Sequence, residues 1–309
     1  MAFKVILYQV ILMLILMLLG TLLVKIKMLD DKGVSSLTEI LLNVVSPCVA
    51  IISFQLKFSS SLLRGLLFSA AAAGLIHIVS IVIGTCVFNK KIVDGHHGKI
   101  LKFASVYSNC GYIGIPLLAA VMGTQGIFYA SVYGIVFTIF QWTHGVLLFT
   151  GKTDRKALVK ALINPNVIAI VIGLFLFCFS IKLPALLYDS MNYVFNLNTP
   201  LSMIVIGSHL AQIDFRHVFK DKWIWPGVAL RNLLIPFAAI FLLHLAGAKG
   251  TLLMACLIPI ACPVAGTTVL FSDLFHEDAK FPTLLMAAST VLSIVTIPFV
   301  VYLVSALRF

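Results

Sequence analysis

Apolar runs of about twenty residues follow one another along nearly the whole chain. A helix of roughly 20 apolar residues crosses the ~30 Å hydrocarbon core of a bilayer, so these runs predict transmembrane helices. There are ten of them, at residues 5–24, 34–56, 66–88, 100–122, 127–150, 163–181, 186–211, 224–246, 250–275 and 281–307. Charged residues make up 11% of the chain, less than half of the ~25% that covers a soluble domain. We therefore predict an all-α membrane protein whose solvent is the lipid bilayer.

Basic residues concentrate in the short connections between these runs and give the chain a net charge of +11. The connections after helices 1, 3, 5, 7 and 9 hold fifteen Lys and Arg residues, and the opposite side holds six. Cytoplasmic connections carry the excess of Lys and Arg in membrane proteins. The bias predicts a protein of the plasma or bacterial inner membrane with both termini outside the cytoplasm. No basic stripe alternates with stacking aromatics, so we expect no nucleic-acid partner.

Prolines and glycines interrupt the predicted helices at related places in the two halves of the chain, residues 1–150 and 151–309. Pro47 falls in helix 2 and Pro200 in helix 7, while residues 108–116 of helix 4 have a counterpart in helix 9 at Pro259 and Pro263. Each proline removes a backbone hydrogen bond and clashes with the preceding turn. Five helices per half is an odd number, so the second half must be upside down relative to the first. The sequence thus predicts two inverted five-helix repeats with broken, crossing helices 4 and 9.

Paired broken helices in an inverted repeat indicate the binding site of a transporter. Unpaired backbone groups at membrane depth must be buried in protein or line a cavity, and half-helix N-termini present N–H groups that favour an anion such as a carboxylate. The candidate substrate-binding residues are Asn109, Gly111, Tyr112, Gly114 and Pro116 in helix 4 and Pro263, Gly266, Thr267 and Thr268 in helix 9. The alternative is that these glycines and prolines only permit kinks or close packing.

Carboxylates are missing from both predicted breaks. Helix 4 has no Asp or Glu between residues 100 and 122, and the first in helix 9 is Asp273, ten residues past Pro263. Cation/proton antiporters of similar architecture depend on such carboxylates, so we expect no simple sodium/proton antiport. Glu39, early in helix 2, is the first candidate for coupling to protons, although it lies close enough to the helix end to reach the membrane surface.

Other ionisable residues within the predicted helices are Arg231, His77, His144, His209 and His244. Intramembrane ionisable groups are candidates for function. Arg231 can also pair internally or extend to the interface, and each histidine can be a hydrogen-bonded packing residue. No catalytic constellation, phosphate-binding loop or Cys/His metal spacing occurs, and the cluster His276-Glu277-Asp278 lacks metal-ligand spacing. We expect a protein that is not an enzyme and that uses no metal or cofactor.

The most specific motif in the chain is Asn109-x-Gly111-x-x-Gly114-x-Pro116-Leu117 in helix 4. It is supported by Pro47, by Asn164-Pro165 at the start of helix 6, by Pro200 and Gly207 in helix 7, by residues 263–272 and by the closing run 288–298. Together these residues resemble the auxin efflux carrier family, which includes bacterial malate and malonate permeases and plant auxin exporters. The resemblance covers essentially the whole chain.

The resemblance implies a ten-helix fold of the kind shared by sodium/proton antiporters and bile-acid transporters. Helices 1, 2, 6 and 7 would form a scaffold, and helices 3–5 with 8–10 a mobile transport domain that works as an elevator in a homodimer. Asn109 and Pro116 match family residues that face the substrate carboxylate at the crossing. Plant members carry an asparagine in helix 9 where this chain has Gly266-Thr267-Thr268, and residues 151–161 replace their long cytoplasmic loop. A bacterial-type carrier is the better match.

We therefore expect a secondary transporter of small organic anions, mono- or dicarboxylates, with elevator-type alternating access and the substrate at the crossing of helices 4 and 9. One alternative is a membrane receptor or lipid-binding module that keeps the fold and does not transport. Another is a sodium-coupled carrier whose ion site consists of unwound backbone carbonyls, which leave no side-chain pattern in the sequence.

Overall fold

The computed structural model of the protein describes residues 2–93 and 95–306, and this part is helical apart from its connections and one isolated bridge. In chain order the helices are α1 (Ala2–Lys25), α2 (Asp31–Ser53), α3 (Ser60–Val87), α4 (Gly95–Val106), α5 (Cys110–Thr150), α6 (Arg155–Leu162), α7 (Pro165–Cys178), α8 (Ala185–Asn196), α9 (Asn198–Leu210), α10 (Ile224–Leu245), α11 (Gly250–Ala261), α12 (Thr267–Leu274) and α13 (Lys280–Ala306). The prediction of an all-α membrane protein is confirmed.

Within the described residues, six helices are long and apolar enough to cross a membrane: α1 from Val5 onward, α2, α3, α5, α10 and α13. A seventh results if α6 and α7, which meet at a bend of 56°, are taken as one span. The 41-residue α5 would measure about 60 Å if it were straight, twice the thickness of the hydrocarbon core. It is not continuous, because Gly123 has φ +61° and ψ −155°, a conformation that favours glycine. The predicted helices 4 and 5 therefore separate at this residue.

Proline explains three of the four π turns in the described helices. A proline lacks an N–H and clashes with the carbonyl four residues earlier, and a π turn centred on that residue relieves both problems. The three turns are Leu41–Val45 before Pro47, Cys110–Gly114 before Pro116 and Leu230–Leu234 before Pro236. The sequence predicted an interruption at Pro47, but α2 instead continues past this residue through its π turn.

The helices pack in two groups. One consists of α1, α2, α7, α8 and α9, in which α1 lies along α9 and the second half of α2 packs on α7 and α8. The other consists of α3, α4, α5 and α10 to α13, in which α5 contacts both α3 and α11. Contacts between the groups are made chiefly by α1 against α13 and α5, and by the second half of α2 against α5.

Glycines allow α1 and α9 to approach each other closely. A Cβ atom at Gly207 would overlap the backbone carbonyl of Met17, and one at Gly20 would overlap the backbone of Ile204. The Thr21 hydroxyl also donates a hydrogen bond to the Gly207 carbonyl at 2.8 Å. Small residues at helix contacts let backbones come together inside a bilayer, so this pair of helices forms a tightly packed unit.

Candidate functional site

Two helix breaks lie side by side and are joined by backbone hydrogen bonds. The first break separates α4 from α5 at residues 107–109, and the second separates α11 from α12 at residues 262–266. The Asn109 N–H donates to the Pro263 carbonyl at 2.8 Å, and the Ala265 N–H donates to the Tyr107 carbonyl at 3.1 Å. These bonds form a short antiparallel bridge between Ser108 and Val264. We call residues 107–109 and 262–266 the crossover.

Four half-helix ends meet at the crossover. The helices α4 and α11 end there, so their C-terminal carbonyls point toward it, and α5 and α12 begin there at Cys110 and Thr267 with N–H groups that lack a preceding turn. Asn109 directly precedes α5 and is 8% exposed. Its side-chain amide makes no hydrogen bond within the described residues. A free amide and free backbone N–H groups are thus concentrated at one place.

Open space adjoins two of the predicted glycines. A Cβ atom built at Gly111 would meet no atom within 4 Å, and one at Gly266 would meet only the Met286 sulfur, at 3.8 Å. Both glycines are exposed, and Tyr112 and Thr267 beside them are half-buried. Each of the two glycines therefore leaves room beside the break on which it lies.

Gly114, Pro116, Pro263 and Thr268 are buried. A Cβ atom at Gly114 would lie 3.2 Å from the Cys262 sulfur and 3.6 Å from the Pro259 Cα atom, so this glycine lets the start of α5 pack on the end of α11. The Thr268 hydroxyl, in the first turn of α12, is completely buried and has no hydrogen-bond partner in the described part of the chain. An unpaired buried hydroxyl at a helix N-terminus is a group that a ligand can satisfy.

The fourth π turn, Gln141–Gly145, lies near the C-terminal end of α5. Residues in and next to this turn contact both helix breaks. Position 147 is leucine, so no proline accounts for this turn. Gln141 Nε2 donates to Thr267 Oγ1 at 2.6 Å. The Tyr107 hydroxyl donates to the Phe140 carbonyl at 2.7 Å and lies 3.0 Å from His144 Nδ1. Sequence reasoning missed Gln141, because a single glutamine in an apolar helix carries no pattern.

Arg231 is the second residue that only the structure could place. It lies in the π turn of α10 and is 1% exposed. Its guanidinium donates to the Ser105 and Val106 carbonyls at 3.0 and 3.3 Å, and also to the carbonyls of Cys262, at 3.1 Å, and Ile260. These carbonyls belong to the C-terminal ends of α4 and α11. Of the two alternatives that the sequence left open for Arg231, internal pairing is therefore the one that is found.

Asn232, next to Arg231, links the second break to the last helix, α13, by hydrogen bonds. Its side-chain oxygen accepts a hydrogen bond from the Ser289 hydroxyl at 2.6 Å, and that hydroxyl accepts one from the Val264 N–H at 2.9 Å. Asn232 Nδ2 also donates to the Ser289 carbonyl at 2.9 Å. The adjacent residues Arg231 and Asn232 thus hold the crossover from two sides.

His77 is buried among aromatic rings, and its Nε2 atom has no hydrogen-bond partner within the described residues. It is 1% exposed, its Nδ1 lies 2.7 Å from the Ala73 carbonyl, and its ring stacks on Phe140 at 5.0 Å between centroids. Tyr133 lies on another side of the ring at 5.3 Å.

The remaining predicted residues lie away from the crossover or beside it. Glu39 is exposed, and its segment Asp31–Ile40 packs on α9 and on the following π turn. Pro200 lies in the first turn of α9, directly after the division between α8 and α9, and Pro259 lies inside α11 near its end. Glu39 and Pro200 are not part of the crossover, although α9, to which Pro200 belongs, packs on residues 110–114 at the start of α5.

The described residues enclose a cavity between the two helix groups and another beside α6. One of about 280 Å³ lies between α1, the end of α9 and α13, with Met17, Leu210 and Val291 among its lining residues. Another of about 780 Å³ lies where α5 and α12 end against α6, and is lined by Trp142, Phe275 and Lys160 among others.

Comparison with known proteins gives the family. The family described as membrane transport protein matches residues 5–157 and 149–301, which together span almost the whole chain. The chain belongs to this family, the auxin efflux carriers. The transporter is similar to an uncharacterized transporter of Methanothermobacter thermautotrophicus, with 23% identity over 92% of this chain and 94% of that protein. It is also similar to one of Methanocaldococcus jannaschii, with 24% identity over 93% and 95%.

Family membership has two direct consequences. The protein is an integral membrane transporter, because its relatives are named transporters and several of its helices are long and apolar enough to span a bilayer. It is not an enzyme. The resemblance seen in the motif around Asn109 is confirmed at the level of the family.

Proposed function

We propose that this transporter is a secondary carrier of small organic anions, mono- or dicarboxylates, and that the anion binds at the crossover. The observation that supports this most directly is the meeting of two half-helix N-termini, at Cys110 and Thr267, beside the free amide of Asn109. Helix N-termini carry partial positive charge and free N–H donors, which together bind carboxylates and phosphates.

The proposed binding residues have different tasks. Asn109 and Thr268 donate side-chain hydrogen bonds, while Gly111 and Gly266 leave room for the substrate beside the free N–H groups. Tyr112 and Thr267 are half-buried next to or near these glycines, and Gly114, Pro116 and Pro263 shape the broken backbone. The absence of Asp and Glu from residues 100–122 favours an anion over a cation as the cargo.

For the whole fold we propose ten membrane spans in two inverted halves, residues 1–150 and 151–309. Support comes from the interrupted helices: α4 with the first part of α5, α8 with α9, and α11 with α12 can each cross once as a broken span. The two packing groups support a scaffold of predicted helices 1, 2, 6 and 7 and a mobile domain of helices 3–5 and 8–10. Movement of the second group past the first would give elevator-type alternating access.

The proposed orientation places both termini outside the cytoplasm, on the basis of the Lys and Arg bias. A cysteine at Lys156, in a background without the native cysteines, should resist an impermeant thiol reagent added from outside. A cysteine at Lys182 should react with it. Reaction at Lys156 and protection at Lys182 would reverse the orientation.

We also propose a homodimer. A domain that moves against the bilayer needs a fixed frame, and pairing of scaffold helices supplies one. In keeping with this, α8 exposes Leu186 and Tyr193, which are 82% and 80% exposed. Native mass spectrometry in mild detergent should give a dimer, and a purely monomeric spectrum would contradict the proposal.

Transport by the reconstituted protein tests the function itself. Currents and uptake in proteoliposomes should be measured with acetate, malate, malonate and indole-3-acetate, with and without sodium and pH gradients. Transport of at least one carboxylate, without transport of its neutral amide, is expected. If the pH gradient drives transport, Glu39→Gln should weaken that dependence. Transport of inorganic cations with no response to any carboxylate would overturn the anion assignment.

A further inference from the structure

The net charge of the crossover depends on one residue. Among the described residues, Arg231 is the one Lys, Arg, Asp or Glu side chain that is fully buried, and it forms no ion pair with a carboxylate there. Removing a charge from water is expensive unless it is paired and hydrogen-bonded. The partners of Arg231 are instead the backbone carbonyls of residues 105, 106, 260 and 262.

These carbonyls account for the burial of the guanidinium. They terminate α4 and α11, and each helix C-terminus carries about −0.5 of an elementary charge. Two such ends amount to about −1, which matches the single positive charge of Arg231. The guanidinium therefore neutralises the negative half of the crossover and ties the two breaks together.

The positive half of the crossover has no such partner. The N-termini of α5 and α12 contribute about +0.5 each. Residues 100–122 contain no carboxylate, and the first in α12, Asp273, is exposed and six residues past Thr267. Without Arg231 the four helix ends would roughly cancel. With Arg231 the crossover carries about one net positive charge.

We propose that Arg231 is the residue that sets the charge selectivity of the transporter, by cancelling the C-terminal ends of α4 and α11 so that a carboxylate is preferred at the N-terminal ends of α5 and α12. It acts as a positioning and specificity residue through the backbone and does not touch the substrate. The inference rests on the proposed function, since it assumes that the substrate binds at the crossover.

The distance within the crossover sets the size of the effect. Val106, whose carbonyl accepts from Arg231, is three residues from Asn109 in the chain and therefore at most about 10 Å from it. We take this as the separation between the guanidinium charge and a carboxylate bound at Asn109. With an effective dielectric constant of about 20, their attraction changes the affinity for the carboxylate on the order of 10- to 20-fold.

The test compares malonate with malonamide, which have nearly the same shape and differ in charge. Binding to the purified full-length protein is measured by calorimetry, and the preference is the ratio of the two affinities. Arg231→Met, which keeps much of the side-chain volume, should lower the preference on the order of tenfold. Arg231→Lys should keep most of it, because the charge stays, even though the hydrogen bonds to four carbonyls cannot all be made.

A second variant leaves Arg231 in place. Asn232→Asp is nearly isosteric and adds a negative charge in the same π turn, where the side chain can still accept from Ser289. It should lower the preference for malonate in the same way. This variant decides the matter if Arg231→Met does not fold, which size-exclusion chromatography and circular dichroism would reveal.

The outcomes separate the two proposals. A wild-type protein that prefers malonate, with the preference lost in Arg231→Met and Asn232→Asp and kept in Arg231→Lys, supports the role of Arg231. A wild-type preference that survives unchanged in the folded Met variant or in the Asp variant overturns that role and leaves the proposed function intact. A wild-type protein with no preference for malonate over malonamide overturns the anion site, and this inference with it.

Discussion

Replacement of Asn109 is the most direct test of where the substrate binds. The residue lies at the end of the first break, its backbone N–H is already used by Pro263, and its side-chain amide is free within the described residues. In Asn109→Ala the backbone pairing of the two breaks can persist, while the side-chain amide that could donate to a ligand disappears. The substitution therefore separates binding from folding.

The expected loss follows from the kind of hydrogen bond involved. A hydrogen bond from a buried amide to a charged group contributes about 1.5–3 kcal/mol, which corresponds to a fall in affinity of roughly 10- to 150-fold. The melting temperature without ligand should change little, because the substitution orphans no partner in the described part of the protein.

Asn109→Asp should bind the anion more weakly still. The side chain keeps its size but exchanges a donor for a negative charge, which repels a carboxylate held at the same helix N-termini. Its charge is also stabilised by those N-termini, so the protein itself should remain folded. The order of affinities should therefore be wild type, then Ala, then Asp.

The assay is calorimetric binding of the best carboxylate from the transport panel to each purified variant. Asn196→Ala serves as the control, since Asn196 is exposed at the end of α8 and far from either break in sequence. If Asn109→Asp binds the anion as well as the wild type does, Asn109 is not at the site and the anion assignment loses its main support.

Two further predictions concern stability. Gly207→Ala should destabilise the protein by about 1–3 kcal/mol, because the new Cβ atom would overlap the Met17 carbonyl. Gly74→Ala is the control, since a Cβ atom there meets no atom within 4 Å. Equal melting temperatures for both variants would contradict the close approach of α1 and α9. Hydrogen bonds from Lys99, at 2.7 Å, and to a lesser extent from His96 hold the pKa of Glu277 below its ordinary value. The ionised carboxylate therefore stabilises the fold at a pH above the ordinary glutamate pKa. This contribution is lost as the pH falls through the lowered pKa. Glu277→Gln should therefore reduce the melting temperature at pH 7 and match the wild type in acid, and a difference that persists or grows in acid would refute this.

Much of the helical framework could be predicted from the sequence, because roughly twenty apolar residues are needed per span and the chain supplies clear runs of that length. The break in predicted helix 4 lies where the motif around Asn109 indicates it, and the break in helix 9 follows Pro259. Pro47 does not break its helix, because the π turn before it accommodates the hydrogen bond that proline cannot donate, and α2 continues. A proline alone does not distinguish a break from a bulge; the glycines and the polar residues around Asn109 mark the actual break.

The contacts that hold the site together could not be predicted in the same way. Arg231 is 122 residues away from Asn109 in the chain, and only the packing of α10 against α4 and α11 brings its guanidinium to the breaks. Gln141 reaches Thr267 across 126 positions. Both residues act through backbone or hydroxyl partners that every sequence contains, so neither leaves a pattern of spacing or composition.

The hydrogen bonds of the crossover also restrict how the transporter can move. Separating the two breaks would cost the backbone bonds of Asn109 and Ala265 and those by which Arg231 joins α4 to α11. Each buried group left without a partner costs about 1–3 kcal/mol, and more where a charge is involved. By contrast, α1 and α13 meet beside a cavity of about 280 Å³, and the hydrogen bond that links α2 to α5, between the Ser53 and Ser131 hydroxyls at 3.3 Å, involves no charged group. Alternating access is therefore easier to achieve by moving the whole group that contains the crossover than by opening the crossover itself, which agrees with the proposed elevator.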